Sequence, residues 1–169
     1  SIGSFGAASL AFLYTGLKGG FGGEVNAGKL KDILAQMEEL KEPFYVPAAR
    51  TYLAPYPNES SVIAKAKSTY ASSLIPGMEE GVVALYQKCP HLGCKVPWCQ
   101  TAQWFECPCH GSKYNRAGEK KGGPAPRGMD RWPITIKDGD IIINTGLVSQ
   151  GPPVGTNTTG QEAEGPHCV

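Results

Sequence analysis

Five of the six cysteines and two of the three histidines fall between Cys89 and His110, and four of these cysteines with both histidines form two boxes: Cys89-Pro90-His91-Leu92-Gly93-Cys94 and Cys107-Pro108-Cys109-His110-Gly111-Ser112. A cluster this dense in a chain of 169 residues is a metal site, a disulfide knot, or both. The length leaves room for one domain of ordinary size plus an appendage. Lys plus Arg is 16 and Asp plus Glu is 15, a balance of +1, which gives no electrostatic footprint for nucleic acid. With 22 Gly, 14 Pro and only 18% charged residues, the chain reads as a loop-rich β protein rather than a helical bundle. Its 41% apolar content excludes full disorder.

The organisation along the chain follows from charge and periodicity. Residues 1–17 contain no charged side chain and read as the C-terminal part of a transmembrane helix, at the lower limit for a hydrocarbon core of roughly 30 Å. Residues 18–28 are rich in glycine and read as a hinge, because each glycine has most of its backbone freedom to lose on ordering. As a flexible coil this stretch spans about 20 Å. The main domain is expected over 29–148, followed by a polar C-terminal tail over 149–169 that would be disordered if it stood alone.

Within the domain, Leu30, Ile33, Leu34, Met37 and Leu40 recur at helical spacing, so 29–41 is expected to be a short amphipathic helix closed before Pro43. Residues 44–86 read as short extended runs broken by prolines, with 82–86 the clearest strand. Two β-branched runs around Asp138-Gly139 predict a hairpin over 134–146. The expected class is therefore mainly β, built from antiparallel sheets of short strands.

Each box can supply one Cys and one His to a common centre, and each carries one further Cys. Two thiolates and two imidazoles fit a tetrahedral zinc ion, or a 2Fe-2S cluster with two Cys on one iron and two His on the other. In zinc fingers the Cys pair and the His pair sit on separate elements. Here each loop gives one of each, Cys89 with His91 and Cys107 with His110, which suits a centre with two unlike metal positions.

At these residues the chain resembles the Rieske iron–sulfur subunit of quinol-oxidising cytochrome bc-type and bf-type complexes. The likeness includes the 12 residues between Cys94 and Cys107, Val96-Pro97-Trp98 after the first box, and Gly123-Pro124-Ala125-Pro126 at the place of the family's proline loop. The resemblance implies a Rieske fold with a loop-built cluster-binding subdomain at about 87–128 and one 2Fe-2S cluster. It implies Cys89 and Cys107 on the inner iron, His91 and His110 on the outer iron, and a Cys94–Cys109 disulfide joining the loops. Ser112 and Tyr114 would donate hydroxyl hydrogens to cluster sulfurs, Leu92 would shield the quinol-facing tip, and Pro124 would line the cluster. His110, with His91 beside it, would take the quinol's proton. The implied partners are a membrane cytochrome b subunit, a c-type or f-type cytochrome, quinol and membrane lipid, with the head on the extracytoplasmic (periplasmic, lumenal or outer) side.

Once those four cysteines are assigned, Cys99 and Cys168 remain, and an even remainder in an oxidising compartment predicts a second disulfide that folds the tail back beside the cluster loops. Three rival functions share part of the pattern: a soluble Rieske ferredoxin, the small electron-transfer subunit of an arsenite-oxidase-like enzyme, and a structural zinc module. The additional Cys in each box together with Ser112 and Tyr114 disfavours the ferredoxin.

Overall fold

Asp138 and Gly139 both adopt positive φ, 52° and 80°, the backbone of a tight two-residue turn that matches strand twist. The turn joins β10 (Ile134–Lys137) to β11 (Asp140–Asn144), and β1 (Glu24–Lys29) pairs antiparallel with the other edge of β11. This computed structural model describes residues 21–169. The expected transmembrane helix over 1–17 and the first part of the expected hinge lie outside the described residues. Residues 24–28 at the end of that hinge, glycine-flanked in sequence, belong to strand β1, because β11 supplies partners for Glu24, Val25, Asn26 and Gly28, with a bulge at Ala27. Among the described residues no helix is long and apolar enough to cross a membrane.

Helix α1 (Leu30–Leu40) follows β1 and buries Ile33 and Met37, while Leu40 at the end of the stripe is exposed. It ends at Lys41 in a left-handed conformation, two residues before Pro43. The second sheet has the order β2 (Phe44–Val46), β3 (Thr51–Pro55), β4 (Val82–Tyr86), β9 (Arg131–Trp132), all antiparallel. The stretch between β3 and β4 differs from the extended runs expected of it. It forms α2 (Ser60–Thr69) and the single-turn α3 (Ile75–Glu79), which bury Ile63, Ala66, Ile75 and Met78. The apolar stripe of α2 is only two residues wide, so tertiary packing rather than periodicity makes the helix.

The third sheet runs β5 (Trp98–Cys99), β6 (Trp104–Glu106), β7 (Lys113–Tyr114), β8 (Lys120–Gly122). Its short strands carry the two boxes at one end. Phe105 and Tyr114 are fully buried from this sheet into the same core as Tyr52, Leu85 and Met129, which fixes the small sheet rigidly on the larger one. The tail is packed against the domain throughout. Ser149 bridges Arg131, Thr158 is buried, and the Glu164 N–H donates to the Ala102 carbonyl at 3.0 Å. Its polar composition is the reason: it binds through hydrogen bonds to buried groups of the domain instead of through apolar burial.

Candidate metal centre

The two boxes fold into the same backbone twice. In the first, the Gly93 N–H donates to the Cys89 carbonyl at 3.0 Å and the Cys89 N–H to the Cys94 carbonyl at 2.7 Å. In the second, the Gly111 N–H donates to the Cys107 carbonyl at 3.0 Å and the Cys107 N–H to the Ser112 carbonyl at 2.8 Å. Both boxes read Cys-Pro-x-x-Gly, and both glycines stand at positive φ, 90° and 77°, where a side chain is strained. The shared spacing in sequence is thus a shared loop geometry.

The loops face each other and are joined by a Cys94–Cys109 disulfide, with Cα atoms 6.7 Å apart. This leaves Cys89 and Cys107 as the free thiols among the described residues, both buried. The rings of His91 and His110 meet edge to face, 4.8 Å between centroids, with His110 exposed and His91 half-buried. One thiol and one imidazole from each loop therefore converge, with the sulfurs inside and the imidazoles outside.

The polar surroundings suit anionic sulfur. Burial pushes the Cys107 thiol up, as does the neighbouring Cys89 sulfur, while the backbone N–H groups of Cys109 and His110 bond to the Cys107 sulfur and pull it down. Those amides are donors aimed at a thiolate. Tyr114 is fully buried with its hydroxyl 3.1 Å from the Cys89 sulfur. Burial, followed by the contact with Cys89, raises the Tyr114 phenol far above its ordinary value, so it stays protonated and donates.

Ser112 is also fully buried, and its oxygen accepts from the Ala125 N–H at 3.1 Å, which leaves its hydroxyl hydrogen for another acceptor. The segment from Gly123 to Pro126 closes over the second box. A Cβ at Gly123 would stand 2.4 Å from the Gly111 carbonyl oxygen and 2.5 Å from the Ser112 Cα, so only glycine permits this approach. Pro124 is exposed at the rim and Leu92 projects from the first loop with 71% of its surface exposed.

All the site residues expected from the sequence are thus gathered at one end of the third sheet except Cys99 and Cys168. These two form a second disulfide on another part of that sheet. Two buried thiols of unlike surroundings from two outer imidazoles are the donor set of a cluster with two iron positions, and a buried amide-lined sulfur matches a bound thiolate. The residues present therefore fit a 2Fe-2S group.

Two buried carboxylates went unnoticed in the sequence. Glu106, on β6 beside Cys107, is fully buried and accepts from the Cys168 N–H at 2.7 Å and the Val169 N–H at 3.1 Å. Glu119, also fully buried, accepts from Tyr70 OH and the Thr158 N–H at 2.8 and 2.9 Å, from Asn115 Nδ2, and from the Thr158 hydroxyl. Burial pushes the Glu119 carboxyl up, but these donors outweigh it and hold the group below the usual carboxylate range. The one signal in the sequence was a lone acid at the end of an apolar strand, Trp104-Phe105-Glu106, with no nearby base to explain it.

Residues 53–133 match the family described as the Rieske [2Fe-2S] domain. The chain is 33% identical over 129 residues to "Cytochrome b6-f complex iron-sulfur subunit 1" of Synechocystis sp. (strain PCC 6803), covering 75% of this chain and 65% of that protein. It is 47% identical over 55 residues to "Cytochrome b6-f complex iron-sulfur subunit" of Gloeobacter violaceus, covering 32% of this chain and 30% of the relative. Among solved structures it is similar to the plasma membrane Rieske protein of Synechocystis PCC 6803, with a TM-score of 0.48, 23% identity, and 71% of this chain and 98% of that chain covered. The chain spans between about a third and about two thirds of the length of these two curated relatives. The matched residues contain both boxes, their disulfide and the Tyr114 donor, and over this stretch the chain carries a Rieske [2Fe-2S] domain.

Proposed function

We propose that this chain is the Rieske subunit of a quinol:cytochrome oxidoreductase, accepting one electron and one proton from quinol and delivering the electron to a c-type or f-type haem. The observation that carries this reading is the polarity of the site: buried Cys89 and Cys107 behind, and the His91–His110 ring pair outside beside the exposed Leu92. Cys89, His91, Cys107 and His110 would hold the 2Fe-2S group. A cluster with two neutral imidazole ligands supplies a one-electron acceptor of high potential, roughly −150 to +300 mV.

The chain's own residues do the rest. His110 presents its imidazole to solvent, where a quinol hydroxyl can reach it and leave a proton on a ring nitrogen. Leu92 offers an apolar surface beside it against which a quinone ring can pack. Tyr114 OH donates to the Cys89 sulfur and stabilises added negative charge there, which raises the potential. The Cys94–Cys109 bond keeps the loops from splaying and letting water in, and it suits an oxidising, extracytoplasmic compartment. The presence of this bond favours a subunit of a quinol-oxidising complex over a soluble ferredoxin.

The proposed partners are a membrane cytochrome b subunit, the haem protein that receives the electron, quinol, and lipid around an anchor at 1–17. The proposed pivot lies before Glu24, since β1 is fixed to β11 from that residue on. The test is low-temperature electron paramagnetic resonance of the reduced protein in its native membranes, with and without a quinol-site inhibitor. The g-values are expected to shift on adding the inhibitor. An iron–sulfur signal that the inhibitor leaves unmoved would overturn quinol oxidation, and a colourless zinc protein would overturn the cofactor as well.

A further inference from the structure

On the face of β5 and β6 that is turned away from the cluster, three potential ligand atoms stand together with the tail: the sulfurs of Cys99 and Cys168 and a carboxylate oxygen of Glu106, all within 4.8 Å of one another. His167 Nδ1 lies 2.5 Å from Glu106 Oε1. We infer that reduction of the Cys99–Cys168 disulfide unmasks a zinc site in which the Cys99 and Cys168 thiolates and the Glu106 carboxylate bind the metal and the His167 imidazole completes the tetrahedron.

Two thiolates, one imidazole and one carboxylate are ligands that zinc accepts in four-coordinate sites, and the paired soft sulfurs disfavour magnesium or calcium. Sulfurs on a zinc tetrahedron with Zn–S near 2.3 Å sit roughly 3.8 Å apart. The Cα atoms of Cys99 and Cys168 are 5.8 Å apart, so side-chain rotation alone reaches that spacing. Three of the four donors are held whether or not the sulfurs are bonded. Cys99 pairs with Trp104 in the β5–β6 hairpin that also carries Glu106. The end of the tail is tied to the turn of that hairpin by Thr101 Oγ1 donating to the Pro166 carbonyl at 2.7 Å and by the Glu164 N–H on Ala102. Cleavage therefore leaves Cys168 beside Cys99.

Glu106 and Cys107 are adjacent in an extended segment and point to opposite faces, so this site is separate from the cluster. The other sulfur-containing group among the described residues, Cys94, Cys107 and Cys109, belongs to the cluster loops. The redox step balances with a dithiol reductant: two electrons and two protons pass to the Cys99–Cys168 bond, giving two thiols, while the dithiol closes to its own disulfide. Zinc then displaces both thiol protons to solvent. The tail stays stapled in either condition, by a sulfur–sulfur bond when oxidised and by the metal when reduced.

The test uses the holoprotein, incubated with or without dithiothreitol, exposed to a zinc salt, desalted, and assayed for zinc and iron together. About one zinc per chain is expected after reduction, with iron retained and two sulfur neighbours at the zinc X-ray absorption edge. The Cys168→Ser protein, reduced in the same way, should lose that zinc. His167→Ala, a change on the exposed end of the tail, should weaken zinc binding about tenfold and serves if the serine variant fails to fold. Zinc uptake that is independent of reduction, equal in Cys168→Ser, undiminished in His167→Ala, or matched by loss of iron would each overturn the site.

Discussion

The cluster loops and the packed tail are held in opposite ways. At the cluster end, two loops with little apolar surface are joined by one short-range disulfide, Cys94–Cys109, and their histidines and Leu92 face solvent. At the tail end, two fully buried carboxylates, Glu106 and Glu119, take hydrogen bonds from groups far off in sequence, and a disulfide spanning 69 residues closes the chain. The contrast teaches where each kind of order comes from. An exposed reactive tip needs a local covalent strap because it has no core to hold it. A polar tail can be ordered without a core if buried acceptors wait for its N–H groups.

Three changes probe that contrast. The largest effect is expected at the tip. Cys94→Ser opens a loop of 15 residues, which costs about 3 kcal/mol in the chain-entropy account. The loops should splay, the cluster should be lost at far lower temperature than in the parent, and the tail end should stay folded. Visible absorption and far-ultraviolet circular dichroism melts followed together check this, and coincident melts would erase the distinction between the two ends.

Glu119→Gln is expected to act at the other end. It removes the charge that four donors address and leaves some of them poorly matched, a loss of about 2 kcal/mol in denaturant unfolding at neutral pH. The pH dependence has a definite sign. Because the folded carboxyl lies below its unfolded value, its stabilisation is fully present above the unfolded value and disappears as pH falls through the folded one. The parent should therefore lose stability on acidification more steeply than the Gln variant. Parallel unfolding curves from neutral to acid pH would show that Glu119 is not the source.

The smallest effect is expected from Tyr114→Phe, which deletes one donor 3.1 Å from the Cys89 sulfur while keeping the ring in the core. One such hydrogen bond is worth about 1 kcal/mol, which for a one-electron couple is roughly 40 mV. The midpoint potential should fall by that order with the melting curve nearly unchanged. A potential equal to that of the parent would remove the phenol from the account of how the tip is tuned.

What the sequence reveals follows from range. The two boxes, the amphipathic stripe of α1 and the Asp138-Gly139 turn are each set by residues within a dozen positions of one another, and each could be read directly. The helices between β3 and β4 could not. Ile63 and Ala66 of α2 make a stripe too narrow to stand out, and the core supplied by β3 and β4 decides the matter. Residues 24–28 misled in the opposite direction, because the glycines at 22, 23 and 28 around them signal freedom while the open edge of β11 imposes a strand.

The site divides along the same line. By itself the sequence determined the two loops, since spacing within Cys-Pro-x-x-Gly dictates their turn, and it predicted a donor set of one thiol and one imidazole from each. Only the tertiary structure decided that Tyr114 and Ser112 are buried against that donor set, that Gly123 touches the second box, and that Glu106 and Glu119 grip the tail. These contacts join residues many positions apart. A linear pattern carries no trace of how Glu106 and Glu119 hold the tail, because a buried acceptor recruits any nearby N–H regardless of the residue that bears it.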